Sequence, residues 1–325
     1  MKISRIVFLC WWLIFLFLLS EISVRIYYRF FRDASFTKSV WDFYDKELGW
    51  KGKVFLGDRL TAKYNIFFIG DSFTEGCGVD EEKMYYNVIA SNLDAEICVY
   101  GGPGYGTLQE YMVLDRYIDE IKPDLIVLQV CSNDFINNLW ELESASFYNN
   151  DLMIRPYFIN GKVVYLFPKF PSKLRMTLFS HSRLLYLLGY SIDKFLVDLC
   201  KRGFLHSVET DIYKKGINFK NFKKATIVTN VLIARIKERA GQVPIVAFTV
   251  NGHYRHLQQF RKIFRENSIE FIEEVPEAIR QGQRNGLKLT LDNDTHWNET
   301  GHKVCGEILS EKLKQKGYGI DKILN

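Results

Sequence analysis

Three residues of this sequence have the types and spacing that acyl transfer requires. Ser72 follows an apolar stretch in FFIGDSFTEG (67–76), where a strand is predicted to turn into a helix. Asp294 and His296 stand two residues apart late in the chain, so the carboxylate can reach the imidazole Nδ1 while Nε2 faces Ser72. A serine hydroxyl needs such a base, and the base needs a partner that fixes its tautomer. The pattern therefore predicts a nucleophile, a base and an acid.

Each of these signals also has an ordinary structural interpretation. Asp71 or Ser72 can cap a helix by accepting hydrogen bonds from its first free N–H groups. The dipeptide 133–134 fits a plain turn, and His296 beside Trp297 fits a packed surface residue. Chemistry is favoured only if these segments meet in space.

Alternating strands and helices are predicted to bring them together. Short apolar strands are predicted at 64–72, 95–102, 122–134, 243–250 and 269–275. Helices are predicted at 82–93, 107–121, 184–199, 221–240, 256–267 and 301–317. Near-continuous apolar strands separated by helices indicate an α/β protein with a parallel five-stranded sheet.

Polar loops follow several strands of this predicted sheet. They are Gly70-Asp71-Ser72, the glycine-rich GGPGYG (101–106), Ser132-Asn133-Asp134 and the late segment LDNDTHWNETGH (291–302). Ligands bind beyond the carboxyl ends of the strands in an open parallel sheet, so we expect these loops to converge. The backbone N–H groups of Ser72 and a glycine, with the Asn133 amide, would then serve as oxyanion donors.

Two predicted parts follow the amino-terminal segment. A stalk is predicted at 34–61, and a catalytic domain at 62–320 with an insertion at about 139–216. Within the insertion, MIRPYFINGKVVYLF (153–167) predicts a hairpin with an Asn-Gly turn. The helix at 184–199 is apolar enough to cover a pocket or lie on a membrane surface, although core packing is the expected default.

Residues 1–33 are predicted to anchor the protein in a membrane. Lys2 and Arg5 precede an unbroken apolar run at 6–19, which is shorter than the roughly 20 residues that a spanning helix needs. Apolar residues beyond Glu21 extend the hydrophobic face, and no A-x-A-like cleavage site follows, which favours an anchor over a cleaved signal peptide. Basic residues flank both ends, so charge does not decide the orientation.

Composition narrows the possible functions. The 325 residues are 47% apolar and 25% charged, as in ordinary globular chains. The net charge of +5, without a basic stripe interleaved with aromatics, gives nucleic-acid binding little support. Six cysteines without a C-x-x-C pair predict neither a zinc site nor a disulfide framework.

Cofactor and metal chemistry also find little support. Gln109 stands where a dinucleotide-binding motif would need its third glycine. The histidine pairs 253/256 and 296/302 are the candidates for a metal hydrolase, but ordinary surface positions are the favoured explanation for them. We therefore expect neither a cofactor nor a metal ion, and the oligomeric state stays open.

The order of these motifs resembles the SGNH (GDSL-type) hydrolase superfamily over roughly residues 62–318. The resemblance implies a flavodoxin-like three-layer α/β/α fold and a serine esterase that forms an acyl-enzyme. By the family's blocks, Ser72 matches the nucleophile and His296 the base. Gly104 matches the oxyanion glycine and Asn133 the oxyanion asparagine.

Some positions depart from the family's usual pattern. Cys131 stands where the third block usually has glycine, and Val99 where the second block often begins with asparagine. The acid often lies three residues before the histidine, where this sequence has Asn293. Asp294 fits an Asp-x-His-Trp variant associated with acyltransferase-like members such as the alginate acetyltransferases. Asp292 is a weaker candidate for the acid.

The sequence thus predicts a membrane-anchored serine esterase acting on O-acyl groups of a carbohydrate or lipid. The domain is expected on the extracytoplasmic side, where such substrates are at hand. An O-acyltransferase that passes the acyl group to an envelope glycan would use the same residues, and is the first alternative. A catalytically inactive, membrane-anchored binding module is the alternative of another class.

Overall fold

The computed structural model describes residues 2–31, 44–56, 64–149, 153–168, 172–292 and 294–319. Asn293 and parts of the predicted anchor and stalk lie outside these ranges. The strands are β1 (Tyr44–Asp45), β2 (Gly49–Trp50), β3 (Lys53–Leu56), β4 (Tyr64–Gly70), β5 (Ala95–Gly101), β6 (Leu125–Val130), β7 (Arg155–Ile159), β8 (Lys162–Leu166), β9 (Ile245–Thr249) and β10 (Glu270–Ile272).

The helices are α1 (Lys2–Phe31), α2 (Ser72–Glu75), α3 (Tyr85–Leu93), α4 (Thr107–Ile121), α5 (Asp134–Asn137), α6 (Trp140–Glu143), α7 (Ser172–His181), α8 (Arg183–Lys201), α9 (Val208–Lys215), α10 (Lys220–Ala240), α11 (Tyr254–Glu266), α12 (Val275–Arg284) and α13 (Glu299–Gln315). The six predicted helices correspond to α3, α4, α8, α10, α11 and α13, each within about one turn of its predicted ends. The predicted strand at 122–134 is shorter in the structure, where β6 covers only Leu125–Val130 and a turn leads into α5 at Asp134.

A six-stranded sheet with the order β10-β9-β6-β4-β5-β3 forms the centre of the protein. The five strands β4, β5, β6, β9 and β10 are parallel, which confirms the predicted sheet. β3 adds an antiparallel edge strand, with Lys53 opposite Gly101 of β5. The segment predicted as a stalk therefore contributes to the sheet.

Helices cover both faces of this sheet. Side chains alternate along a strand, so Phe67 and Ile69 of β4 pack on one face with α4, α10 and α11. Ile66 and Phe68 pack on the other face with α3, α12 and α13. This arrangement confirms the flavodoxin-like three-layer α/β/α fold.

The strand order determines where a ligand can enter. β4 lies between β5 and β6, so the chain runs from β4 to β5 on one side and then crosses back past β4 to β6 on the other. Such a switch point opens a crevice at the carboxyl ends of the two central strands. Ile69 of β4 pairs with Leu128 of β6, so the loops that carry Ser72 and Asn133 begin side by side.

The insertion contains the predicted hairpin and a helical part. β7 and β8 pair antiparallel, and Asn160 (φ 50°) and Gly161 (φ 80°) both adopt the left-handed conformation that a type I′ turn requires. The predicted helix at 184–199 lies within α8. Its apolar side chains do not pack into the core, since Ile192 is 58% and Phe195 61% exposed. The expectation of core packing is wrong for this helix.

The amino-terminal helix has the dimensions of a membrane span. The apolar stretch Arg5–Tyr27 of α1 is 23 residues long. At 1.5 Å per residue it extends roughly 35 Å, which exceeds the hydrocarbon core of about 30 Å. A signal sequence near an amino terminus meets the same criteria of length and composition.

Candidate active site

Ser72 begins α2 at a sharp turn from β4 into the helix. The helix cap is Asp71, whose carboxylate accepts a hydrogen bond from the Phe73 N–H at 2.9 Å. Gln129 of β6 accepts through Oε1 from the Asp71 N–H at 3.0 Å and from the Thr74 hydroxyl at 2.9 Å. Because Asp71 serves as the cap, the Ser72 hydroxyl is available for another contact.

Glycines let α2 lie close against the strand ends. A Cβ atom on Gly70 would lie 2.4 Å from the Gln129 Oε1, and one on Gly101 would lie 2.2 Å from the Glu75 backbone nitrogen. Neither distance is compatible with a side chain. Both glycines therefore allow the turn that carries Ser72 to lie in its observed position.

A tight loop presents His296 to this turn. The Leu291 N–H donates to the His296 carbonyl at 2.9 Å, and Thr290 and Trp297 form an antiparallel bridge. Asn298 then caps α13. The Trp297 side chain is buried, so the next residue towards the amino terminus, His296, is held at the edge of the core.

The structure brings Ser72, His296 and Asp294 into one hydrogen-bonded chain. The Ser72 Oγ lies 2.8 Å from the His296 Nε2, and the His296 Nδ1 lies 2.7 Å from the Asp294 Oδ1. Asp292, the weaker candidate, instead pairs with Lys288 at 2.7 Å and is 81% exposed. The contact that the spacing predicts for Asp294 is therefore present.

The Asp294 carboxyl is suited to remain ionised. Partial burial acts to raise its pKa, but the hydrogen bonds from the His296 ring and backbone outweigh that effect, so the pKa of Asp294 lies below its ordinary value. An ionised carboxylate at this distance keeps the proton of the imidazole on Nδ1, which leaves the Nε2 lone pair facing Ser72.

The predicted oxyanion donors line the same cavity as Ser72. Gly104 and Asn133 both contribute to its wall. Gly104 has φ 65°, a left-handed conformation that favours glycine. The Asn133 Nδ2 donates to the Asn137 Oδ1 at 3.0 Å. This bond orients the Asn133 amide and leaves its second N–H for another acceptor.

Asn137 and Arg155 are supporting residues that sequence reasoning missed. Asn137 is buried one helical turn after Asn133, a spacing that could have indicated the contact. Arg155 of β7 is also buried, and its Nη2 donates to the Gly104 carbonyl at 2.8 Å. No local signal connects Arg155 with Gly104, because the insertion brings it there from a distant part of the chain.

Cys131 occupies the position where the family usually has glycine. Its Sγ lies 2.7 Å from the Asn251 Oδ1, which also accepts from the Ser132 N–H at 2.8 Å. Burial raises the pKa of the Cys131 thiol well above its ordinary value, so the group stays protonated. The thiol thus helps to hold the loop before Asn133 against β9.

The cavity in front of Ser72 has a volume of about 500 Å³. The insertion supplies much of its wall through hydroxyl, amide and carboxylate groups: Tyr148, Asn149, Ser207, Glu209, Thr210 and Tyr213. The Glu209 Oε1 accepts from Ser146 at 2.5 Å and from Asn149 at 3.1 Å. Its Oε2 has no hydrogen-bond partner among the described residues.

The other histidines do not assemble a metal site. His256 packs against Phe135 and Phe222, and burial lowers its pKa to about 3. His302 stacks beside Tyr85, and burial lowers its pKa to about 4. In the ranges that the structure describes, no group of three or more His, Cys, Asp or Glu residues could hold a metal ion.

Three carboxyl groups are buried beneath the site: Asp71, Asp134 and Glu110. The Asp134 Oδ2 accepts from the Cys131 N–H at 3.0 Å, whereas both carboxyl oxygens of Glu110 lack a partner among the described residues. Burial, together with the neighbouring Asp134 and Asp71, raises the pKa of Glu110 well above its ordinary value. Glu110 is therefore held as a neutral acid.

A comparison with protein families finds one match in this chain. Residues 66–156 match the family described as GDSL-like Lipase/Acylhydrolase. No curated protein sequence matches the chain.

Several solved structures resemble the chain at low sequence identity. A lipase/acylhydrolase from Enterococcus faecalis is 11% identical, with 78% of this chain and 96% of that chain covered and a TM-score of 0.42. The esterase EstA from Pseudoalteromonas sp. is 9% identical, with coverages of 78% and 97% and a TM-score of 0.43. A salicylyl-acyltransferase from a tetracycline biosynthetic pathway is 13% identical, with coverages of 79% and 57% and a TM-score of 0.43.

The order of the motifs indicated a resemblance to the SGNH (GDSL-type) hydrolases, and the family match confirms it. The match over residues 66–156 supports a GDSL-type lipase/acylhydrolase domain, and with it the class of hydrolases acting on ester bonds. The chemistry of this class is ester hydrolysis or acyl transfer.

The neutral state of Glu110 predicts a pH-dependent stability. Its pKa is raised in the folded state, so its contribution is fully present below the unfolded pKa of about 4.3 and is lost as pH rises towards the folded value. Glu110→Gln keeps the shape but cannot ionise. The quantity to compare is the free energy of unfolding of Glu110→Gln minus that of the wild type. We expect this difference to be greater at pH 8 than at pH 5, because only the wild type loses stability as the pH rises.

Urea unfolding of both proteins at the two pH values measures this difference. Glu82→Gln, at an exposed position, is the matched control and should show no comparable change with pH. An equal effect of Glu110→Gln at both pH values would contradict the raised pKa.

Proposed function

We propose that the protein hydrolyses O-acyl ester bonds with Ser72 as the nucleophile. The observation that carries this proposal is the continuous contact from Asp294 through His296 to Ser72, with distances of 2.7 and 2.8 Å, at the floor of an open cavity. An inactive binding module would have no need to maintain such a chain, so this geometry argues against that alternative.

In the proposed reaction, the Ser72 Oγ attacks the ester carbonyl carbon while the His296 Nε2 takes its proton. The imidazolium is stabilised by Asp294, and the tetrahedral intermediate collapses as His296 returns the proton to the leaving alkoxide. The products of this half-reaction are a free alcohol and an acyl-Ser72 ester. A water molecule, deprotonated by His296, then releases the acid and regenerates Ser72.

The negative oxygen of the intermediate needs donors that are already in position. We assign this role to the backbone N–H groups of Ser72 and Gly104 and to the Asn133 side chain, all of which border the cavity. Asn137 and Arg155 act as positioning residues, since one holds the Asn133 amide and the other holds the Gly104 carbonyl. Each such donor contributes roughly 3–4 kcal/mol to catalysis.

The cavity wall favours an alcohol that carries further hydroxyl groups. The insertion lines it with polar side chains, including Tyr148, Asn149 and Thr210, whose hydroxyl and amide groups can form hydrogen bonds with substrate hydroxyls. We therefore propose a small acyl ester on a carbohydrate, or on the polar part of a lipid, as the substrate.

The same wall supports an O-acyltransferase as the second candidate. A sugar hydroxyl bound near Glu209 would compete with water for the acyl-Ser72 ester, and His296 would deprotonate it in the same manner. Hydrolysis and transfer differ only in which nucleophile occupies this part of the cavity.

We further propose that α1 is a retained membrane anchor and that the catalytic domain lies outside the cytoplasm. The length of the stretch Arg5–Tyr27 supports a span, and esters of envelope glycans and lipids lie on that side. Digestion of the domain by protease added to intact spheroplasts would agree with this orientation. Protection of the domain until the membrane is disrupted would contradict it.

The proposal predicts covalent labelling of Ser72. A fluorophosphonate probe should label the wild-type protein and fail to label Ser72→Ala, because only an activated serine reacts with it. Peptide mass analysis identifies the labelled residue. Equal labelling of both proteins would exclude Ser72 as the nucleophile.

Acceptor dependence separates hydrolysis from transfer. The full-length protein in detergent is supplied with an activated acetyl ester, with and without oligosaccharide acceptors, and Ser72→Ala serves as the blank. We expect acetate release that added sugar does not suppress. Acetylated sugar with reduced acetate release would instead support the transferase.

The geometry predicts different roles for the two neighbouring aspartates. Asp294→Asn should lower kcat by on the order of 10⁴, as loss of a triad acid does when it leaves the wrong histidine tautomer. Asp292→Asn is the matched control, since its carboxylate faces Lys288 and solvent, and should retain near wild-type turnover. The reverse ranking would assign the acid role to Asp292.

Removal of the proposed amide donor should reduce turnover. We expect Asn133→Ala to lower kcat by about 10²- to 10³-fold, as loss of one oxyanion donor does elsewhere. Ser132→Ala, at a neighbouring cavity position outside the proposed donor set, is the control and should have a much smaller effect. Unchanged turnover in Asn133→Ala would show that Asn133 is part of a turn and is not an oxyanion donor.

A further inference from the structure

The α7–α8 pair carries an apolar surface that the proposed chemistry does not use. Leu188, Ile192 and Phe195 of α8 are 52%, 58% and 61% exposed, and their spacing of four and then three residues places them on one face of the helix. In α7, Leu174 and Leu178 are 57% and 42% exposed. We refer to these five residues as the hairpin face.

The two helices pair through other residues. Gly189 of α8 lies against the ring of Phe179 in α7, so closely that a Cβ atom there would be 2.1 Å from a ring carbon. Arg175 of α7 and Asp193 of α8 form an ion pair at 2.6 Å. Because these contacts hold the pair together, the hairpin face is not needed for packing between the two helices.

The hairpin face continues the surface of α1. The Glu21 carboxylate accepts hydrogen bonds from the Ser182 hydroxyl at 2.8 Å and from the N–H groups of Arg183 and Leu184 at 2.9 Å. It therefore caps the first turn of α8 from within α1. Arg25, one turn further along α1, donates to the His181 carbonyl at 2.9 Å.

These contacts determine the depth of α8 relative to a membrane. The span Arg5–Tyr27 of α1 ends six residues beyond Glu21. Because each residue adds about 1.5 Å, Glu21 lies roughly 9 Å inside the end of the span. The amino terminus of α8 is thus held in the last third of the span, at the depth of roughly 5–10 Å to which an interfacial helix buries its apolar face.

We propose that the hairpin face is inserted into the lipid bilayer beside α1, as a second and interfacial membrane contact. An amphipathic helix with one apolar face and a polar opposite face lies in this position. Tyr190 and Lys194 stand on the side of α8 away from Ile192, and the Lys194 ammonium lies 5.2 Å from the Tyr190 ring centre. The inference rests on the proposed anchoring by α1 but not on the proposed reaction.

The consequence concerns the orientation of the catalytic cavity. Ser207, Glu209 and Tyr213, which line the cavity, belong to α9 and its N-cap, and α9 is the next helix after α8. The same part of the chain would therefore contact the bilayer at α8 and contribute to the cavity wall at α9. With a second contact in addition to α1, the domain would be held with a defined face towards the membrane.

Depth-dependent quenching tests the proposal on the full-length protein in vesicles of phosphatidylcholine and phosphatidylglycerol. The exposed Cys10 and Cys77 are first replaced by serine. Single cysteines are then introduced by Ile192→Cys or Phe195→Cys, with Lys194→Cys as the matched control, and labelled with bimane. Doxyl groups on the acyl chains quench a label in the bilayer, and aqueous iodide quenches a label in water.

We expect lipid quenching at 192 and 195 to exceed that at 194 by about two- to threefold, since an interfacial helix buries its apolar face roughly 5–10 Å deep. Iodide should show the opposite order. Equal quenching at all three positions would overturn the proposal. Shielding of 192 and 195 from both quenchers would also overturn it, because a protein would then cover the face.

Two controls separate this result from the other proposals. Intact mass confirms that α1 is retained, so loss of the anchor is not mistaken for failure of the hairpin to insert. Fluorophosphonate labelling of the same variants reports the Ser72 chemistry independently of membrane contact. A protein that reacts with the probe but shows no lipid quenching would refute the hairpin proposal alone.

Discussion

The hydrogen bond between the Ser72 Oγ and the His296 Nε2 joins two segments that are 224 residues apart in the chain. Its length of 2.8 Å requires that both ends be held independently. At one end, the cap by Asp71 and the contacts of Gln129 hold the Ser72 turn. At the other end, the buried Trp297 holds the histidine loop, and its ring packs against Phe73 at 5.0 Å.

The polar groups beneath this contact are the main energetic cost of the site. Gln129, Asp134 and Glu110 lie inside the core, where an unpaired or charged group is expensive. The structure meets this cost in two ways. Gln129 receives hydrogen bonds from the turn that it supports, and Glu110 stays neutral because burial and the neighbouring carboxyl groups raise its pKa. The site is thus built on a polar network that also determines its shape.

The insertion contacts both the candidate active site and the amino-terminal helix α1. Arg155 reaches from β7 to the Gly104 carbonyl, and Glu209 of α9 lines the cavity. In the same insertion, the N-cap residue of α8, Ser182, donates a hydrogen bond to Glu21 of the amino-terminal helix. The insertion therefore contributes both to the cavity wall and to the contact with α1, whereas the turn that carries Ser72 belongs to the central sheet.

Much of this protein could be inferred from its sequence, because the relevant signals are local. Apolar strands that alternate with helices predicted the parallel sheet, and the capping and turn chemistry around Ser72 and His296 depends on residues within a few positions. The spacing of Asp294 and His296 likewise defines a contact that a short loop can make. The order of the motifs was sufficient to indicate the SGNH resemblance.

Other features of the protein depend on contacts between residues far apart in the chain, and these were decided by the tertiary structure. The edge strand β3 is too short to show periodicity, and only pairing with β5 makes it a strand. Arg155 supports the site, and Glu110 stays neutral, because of neighbours that only the fold brings close. The α8 face is exposed because the fold places no described core residue against it. Burial and electrostatic environment are properties of packing, and the same apolar pattern in α8 fits either a core or a membrane surface.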